Sequence, residues 1–385
     1  MSAGPSAKPR VLFLAKYLDS GGVTTHMMTL AQELKERGWE VALASAGTHG
    51  EHALGPEWFE SHGIKHFSLA YGSRNPLTLF VQALKTLRIA NDFTPDLLHV
   101  HWRVTSGFAK LVQLTSRIPF VSTLHLLGIG EGRFHRLFSY WGQRSIAISS
   151  ECRDYLHDSF HIAPNRIDLI FNGADARHFR LPTSDERRAS RAQFGVTEDE
   201  CVITLIGRLE AVKGHALLLQ AVAPLLHQGL KFRVLFAGEG SQRSRLIAQV
   251  AELGLSHRVH FLGHTDPRQV LWASDISVLP SYKEGFPLST VESMLTGVVT
   301  IRSETSGATD VIIDGETGFI VPIGDLSKLN SRLALLIEDS ESRKSMSTRA
   351  HERALELFTS EHMAIQTIAT YTRALNEYRQ AENAE

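Results

Sequence analysis

The sequence predicts an α/β protein of two successive domains, each a mostly parallel sheet covered by helices on both faces. Three observations carry this expectation. Short β-branched runs alternate with segments of helical period from Arg10 onward. The alternation breaks at the polar, strongly charged stretch Leu181 to Arg191 and then starts again. The two series share no sequence period, so they read as two similar domains and not as a repeat array.

In the first series, Val11–Lys16, Glu40–Ser45, Ile64–Leu69, Asp96–His101, Phe120–Leu124 and Ser145–Ile148 read as buried strands. Helical segments such as Val23–Arg37 and Pro76–Asn91 separate them; Asn75 before Pro76 supplies an N-cap and a proline at the first helical position. Such alternation implies right-handed crossovers. The second series reads Val202–Ile206, Phe232–Ala237, Val259–Leu262, Ile276–Leu279 and Val298–Ile301 as strands. The last third is helical, over Leu326–Ile337, Ser342–Leu357 and Glu361–Tyr378. The expected division is a flexible tail at 1–9, a first domain at 10–180, a linker or surface helix at 181–198, a second domain at 199–358, and a closing helix and tail at 359–385.

Composition is that of an ordinary globular chain of 385 residues, with 43% hydrophobic and 21% charged residues. A formal net charge of −1 argues against a nucleic-acid partner. Residues up to Arg180 carry about four more basic than acidic side chains, a bias compatible with a peripheral contact at an anionic membrane. Cys152 and Cys201 are too few for a disulfide framework and lack metal-ligand spacing. No apolar run approaches the roughly 20 residues needed to span a bilayer, and the first residues lack a signal-peptide core, so a cytoplasmic location is expected.

The most informative stretch is Tyr282 to Glu292. Glu284 sits on a Gly/Pro loop at the carboxyl end of a strand, and Glu292 falls in the first helical turn beyond it. Open α/β sheets bind ligands at this location. The alternative is a capping box, Ser289-x-x-Glu292, in which Glu292 only satisfies a backbone N–H. Arg208 and Lys213 occupy one loop between a strand and a helix, an arrangement suited to a diphosphate because Arg offers a planar fork and Lys a point charge. A pair of solvated surface charges is the alternative. Gly21-Gly22 follows the first strand and opens a helix, where backbone N–H groups can approach an anion; a plain tight turn would look the same. His99, His101 and His125 lie at or just beyond strand ends, with His125 the best placed to donate to a ligand. No His/carboxylate spacing suggests zinc, and no Asp-x-Asp pair is present to hold a divalent ion against a nucleotide. Gly238-Glu239-Gly240 lacks the third glycine of a dinucleotide fingerprint, and the Arg208–Gly214 loop lacks the Walker pattern.

Taken in order, these pieces resemble the retaining glycosyltransferases of the GT-B fold, family 4. The match runs through Gly21-Gly22, His125, Asn172-Gly173-Ala174-Asp175, Gly207-Arg208, Lys213-Gly214, Gly238-Glu239-Gly240, Phe261-Leu262-Gly263, Pro280-Ser281, Glu284 to Leu288, Glu292 and Thr317-Gly318. The resemblance implies two Rossmann-like domains facing a cleft, with the last helix crossing back to the first. It implies that Arg208 and Lys213 clamp the diphosphate of a nucleotide-sugar, and that Glu292 holds the ribose. Glu284 would lie beside the transferred sugar, helped by backbone N–H groups around Phe286, Pro287 and Leu288. The base would stack near Gly263 and Thr265, His125 would reach the donor sugar, and Gly21 and Gly22 would leave room for the diphosphate.

The expected activity is hexosyl transfer with retention, without metal or other cofactor, from a UDP-sugar or else a GDP-sugar. A cell-surface glycan or lipid-linked acceptor is expected, with a small-metabolite acceptor or a catalytically silent nucleotide-sugar binder as alternatives. Arg133 to Trp141, basic and aromatic at helical spacing, is the candidate membrane-proximal element, an ordinary packed helix being the other reading. Ser293 stands where the family has a small Ala, Val298 where it frequently has Pro, and Ser306 to Asp310 where it often has Gly-Gly-x-x-Glu.

Overall fold

A computed structural model describes residues 8–19, 21–49, 55–71, 73, 75–129, 132 and 138–383. The chain divides into two compact units, Met1–Gly173 with Ser360–Glu385, and Ala174–Thr359. Segment 181–198 thus belongs to the second unit. It forms the helix Ser184–Gln193, opened by a Thr183/Glu186 capping box. Its arginines are structural: Arg187 and Arg191 both donate to the Asp275 carboxylate, at 2.7 and 3.2 Å.

The first unit holds β1 (Arg10–Leu14), β2 (Glu40–Ser45), β3 (Lys65–Ser68), β4 (Leu97–Val100), β5 (Phe120–Leu124), β6 (Arg144–Ala147) and β7 (Ile167–Leu169). They pair in parallel in the order β3-β2-β1-β4-β5-β6-β7. Val11 to Leu14 are wholly buried, which is why β1, an interior strand, reads as a continuous apolar run. β7 is a strand that hydrophobic patterning does not reveal. It is three residues long, and its middle residue, Asp168, binds Arg144, Thr370 and Arg373.

The helix Ser360–Glu382 belongs to this first unit, as the resemblance implied. Ser360 Oγ donates to Glu33 on the helix Gly22–Glu36, and Tyr371 OH lies 2.6 Å from His99 Nδ1. Arg144 adds an ion pair to Glu377 at 2.7 Å.

The second unit holds β8 (Cys201–Ile206), β9 (Phe232–Ala237), β10 (Val259–Gly263), β11 (Ile276–Leu279), β12 (Val299–Ser303) and β13 (Gly318–Val321), in the parallel order β10-β9-β8-β11-β12-β13. β13 was not among the expected strands. It is four residues long, and a Cβ on Gly318 would sit 2.5 Å from the Thr300 carbonyl oxygen, so glycine permits the close pairing with β12. Among the described residues, no helix is long and apolar enough to cross a membrane. Most of the basic and aromatic segment, Arg133 to Leu137, lies outside the described residues.

Candidate active site

In each sheet the strand order reverses direction once, between β1 and β4 in the first unit and between β8 and β11 in the second. Ligands of open α/β sheets bind outside the carboxyl ends of strands at such a point. Nearly every residue singled out from sequence lies on a loop or helix leaving one of these ends.

In the second unit, β8 leads to Arg208 and Lys213, and β11 leads to Glu284. The two loops are tied by a backbone bond from Tyr282 N–H to the Val212 carbonyl, 2.8 Å. Gly214 lies against them with φ +77°, and a Cβ there would be 2.1 Å from the Pro280 carbonyl oxygen, so only glycine fits this contact. The closure brings Lys213 Nζ to 2.7 Å from Glu284 Oε1, with side chains 20% and 9% exposed. Sequence reasoning assigned the two residues separate tasks and missed that they pair. Arg208 is exposed, and its side chain makes no hydrogen bond or ion pair among the described residues. The site therefore holds one paired cation, one available cation and a carboxylate.

The loops after β8, β9 and β10 are also joined. Gly207 N–H donates to the Ala237 carbonyl and Gly238 N–H to that of Gly263, at 3.0 and 2.9 Å. Gly238 passes so close that a Cβ would lie 2.1 Å from the Gly207 oxygen. Thr265 Oγ1 turns back to the Leu262 carbonyl, which fixes the loop beyond Gly263. Gly263 thus connects through Gly238 and Ala237 to the loop that carries Arg208, while Thr265 is tied only to Leu262 by its hydroxyl.

Glu292 differs from its expected placement. The helix Leu288–Leu295 is capped by Pro287, without a side-chain cap bond, so Ser289 is an interior residue and no capping box forms. Glu292 is the fifth helical residue, past the first turn, and its carboxylate has no hydrogen-bond or ion-pair partner among the described residues. Part of its surface remains accessible, yet protein surrounds it closely enough that burial pushes its carboxyl up to about 7. A carboxyl group left without a structural partner is available to ligand hydroxyls. Phe286 and Leu288 are buried, with the Phe286 ring 5.9 Å from that of Phe358.

Two departures from the family pattern have compensating contacts. Ser293 Oγ donates to Ser277 Oγ on β11 at 2.9 Å, and the Ser306–Asp310 loop is held from below by the fully buried Arg302, which donates to Thr305 Oγ1 and the Ser306 and Gly307 carbonyls.

In the first unit, the Gly21-Gly22 turn leaves β1. The Asp19 carboxylate accepts from Gly21 N–H and Thr24 Oγ1, each at 3.0 Å, and so takes up the helix end that sequence reserved for a ligand anion. Gly22 meets no atom within 4 Å of a built Cβ, which leaves space there. His99 and His101 follow from β4 and His125 from β5. His101 Nδ1 and His125 Nε2 are 3.2 Å apart, and His99 is held by Thr123 Oγ1 and Tyr371 OH at 2.7 and 2.6 Å. Burial, then the neighbouring imidazoles, holds His125 and His101 well below the usual histidine range, so both are neutral near pH 7. His125 can offer a ligand a neutral N–H, not a positive charge. His26, which sequence reasoning did not single out, joins this group from the first helix, its ring 4.8 Å from that of His125. A separate groove of about 810 Å³, lined by Lys110, Gln143 and Arg166, lies by Phe120 at the opposite end of β5.

Family models match both units: "Glycosyltransferase Family 4" over residues 20–178 and "Glycosyl transferases group 1" over residues 186–353. Among curated relatives, a D-inositol 3-phosphate glycosyltransferase of Nocardia farcinica is 28% identical, the match covering 94% of this chain and 87% of that one. An N-acetyl-alpha-D-glucosaminyl L-malate synthase of Bacillus anthracis is 26% identical over 94% of this chain and 96% of its own. Among solved structures, a glycosyltransferase of Rickettsia africae superposes with a TM-score of 0.86 at 20% identity, covering 96% of this chain and 99% of that one. Anabaena HepE in complex with UDP and glucose superposes with a TM-score of 0.80 at 21% identity, covering 94% and 99%.

Two parallel sheets with flanking helices, matching these structures over nearly their whole length, define the GT-B fold; the two family models and the curated relatives mark the chain as a glycosyltransferase. The chain belongs to the glycosyl transferases group 1, family 4.

Proposed function

We propose that this glycosyltransferase moves a hexosyl group from a nucleotide-diphospho-sugar, a UDP-sugar before a GDP-sugar, to a hydroxyl of a small polar metabolite. The transfer proceeds with retention and without a metal ion or other cofactor. The observation that carries the reading is the Lys213–Glu284 pair beside the available Arg208 at the switch point of the second sheet. A diphosphate entering there meets the Arg208 fork and the remaining donors of Lys213, which offset the charge that develops as the nucleotide leaves. With that charge supplied by side chains and no Asp-x-Asp in the sequence, no step calls for a divalent ion. Glu284, already engaged by Lys213, orients or stabilises an oxocarbenium-like sugar; the departing phosphate oxygen takes the acceptor proton as the acceptor attacks from the same face. Glu292 receives the ribose hydroxyls.

The small-metabolite acceptor, held as the alternative from sequence, is put here ahead of the cell-surface glycan. Its support is that the curated relatives matching 94% of the chain are named for inositol 3-phosphate and for L-malate. A thermal-shift screen with UDP, GDP and ADP reads the base, because stabilisation follows the logarithm of ligand concentration over Kd. The matching sugar is then offered with polyol phosphates and hydroxy acids in excess chelator. An α-linked product from an α-linked donor supports the reading. A β-linked product, a strict magnesium requirement, or transfer only to polymeric or lipid-linked glycans would overturn the corresponding part.

A further inference from the structure

The switch point of the first sheet gathers more imidazole than hydrogen bonding to a sugar requires. His26, His101 and His125 each offer a ring nitrogen within 4.8 Å of the others, and all three are buried. They come from the first helix and from beyond β4 and β5, positions 26, 101 and 125, so no sequence spacing could announce them.

From these observations we infer that His26, His101 and His125 form a binding site for a divalent transition ion such as Zn2+, and that an ion held there inhibits the enzyme by capturing His125.

Geometry supports the site. Zinc–imidazole bonds of about 2.0–2.1 Å in a tetrahedron place ligand nitrogens roughly 3.3–3.4 Å apart. His101 Nδ1 and His125 Nε2 already stand at 3.2 Å. His26 must close the remaining distance, and no hydrogen bond holds its ring in place, since both its nitrogens are buried without one. Asn172 Oδ1 is orphaned in the same way. Asn172 lies near enough to oppose the lowering of the His26 pKa, yet neither side chain is aligned for a hydrogen bond. Unpaired buried polar atoms cost free energy, so a cluster of them is a site where a ligand gains more than the bare contact. A buried imidazole binds a metal through the lone pair of its neutral form. Water or Asn172 can complete a fourth position.

The inhibitory half rests on the proposed use of His125 toward a ligand; the binding half does not. The test uses the full chain with Zn2+ and Co2+ alone. Zinc at about 100 times its Kd is expected to raise the melting midpoint by roughly 5–10 °C. Cobalt is expected to give the visible absorption of a tetrahedral site, and zinc to depress transferase activity reversibly with chelator. His26→Gln and His101→Gln should each weaken zinc binding at least about 10–100-fold, the loss seen even for an outer partner. His26→Gln should also keep its activity in the presence of zinc. His215→Gln, at a lone buried histidine of the second unit with equally unpaired nitrogens, should leave zinc binding unchanged. If zinc gives no shift and cobalt no spectrum, or if His215→Gln abolishes the effect as fully as His26→Gln, the site does not exist. Tight binding without inhibition would retain the site and remove the proposed use of His125.

Discussion

The two sheets share one topology and place opposite chemistry at its switch point. The first unit sets a neutral group there: four buried imidazoles, a carboxylate already satisfied by its own turn, and open space at Gly22. The second sets charge there: Arg208, Lys213 and Glu284 on loops with partial solvent access. On the proposed function the difference is one of task. Strand order fixes where a ligand sits, and the residues leaving the strands decide whether the crevice offsets a phosphate or offers neutral donors to a hydroxyl.

The largest effect should come from breaking the charged side. Lys213→Ala and Arg208→Ala are each expected to lower kcat/KM by about 100–1000-fold, the scale for losing one donor to developing negative charge. The two should separate in stability. Arg208 makes no side-chain hydrogen bond or ion pair among the described residues, so its variant should melt with the parent. Lys213→Ala strands Glu284, 9% exposed, and should melt lower by about 1–3 kcal/mol. Steady-state kinetics beside thermal melts checks both; equal melting of the two variants would deny the Lys213–Glu284 pair any structural weight.

Next in size is acid sensitivity of the neutral side. Burial holds His99, His101 and His125 well below the usual range and His26 at about 4. The folded state therefore binds fewer protons than the unfolded chain. Stability from these groups is full above the ordinary histidine pKa of about 6.5 and falls as pH drops from there through the folded values. Melting followed by tryptophan fluorescence of the first unit should fall steeply between about pH 6.5 and 4. A flat profile in this window would mean that the imidazoles are solvated.

Much of this contrast was legible in the sequence, and the limits have a physical pattern. Arg208, Lys213 and Glu284 could be read because each lies a few residues past a strand that ends at a breaker, Gly207 after β8 and Pro280 after β11. β7 and β13 escaped because one is three residues long with Asp168 at its middle and the other opens on Gly318, and the contacts that hold them are nonlocal. The capping box failed because Pro287 takes the cap and moves the helix start ahead of Ser289. His26, Asp275 and the Lys213–Glu284 pair could not be read locally at all. Each depends on which strands are neighbours, β1 beside β4 and β8 beside β11, and that order is a property of the assembled sheet.

Glu292 gives the charged side a pH response of opposite sign. Its carboxyl is raised to about 7, so folding favours the protonated form. The stability it leaves intact below the ordinary carboxylate pKa declines as pH rises from about 4.5 through 7. Glu292→Gln removes the ionisation. Its melting point, relative to the parent, should therefore climb across that interval, while affinity for nucleoside diphosphate falls. A constant difference between pH 5 and 8 would show that the carboxylate is solvated well enough to ionise at its usual value.

The smallest expected effect is the most specific. Ser293 occupies a position where the family has Ala, and its hydroxyl donates both to Ser277 Oγ and to the Ser289 carbonyl within a buried contact. The Ser289 bond is the weak backward kind that helices tolerate without much gain. The Ser277 bond matters because its loss strands a buried hydroxyl. Ser293→Ala and Ser277→Ala should each cost about 1 kcal/mol, whereas the double replacement should cost less than their sum, since two apolar groups leave no orphan. A double-mutant cycle by denaturant unfolding reads the coupling. Strict additivity would mean that the hydroxyls find other partners, and that the helix carrying Glu292 is positioned by apolar packing alone.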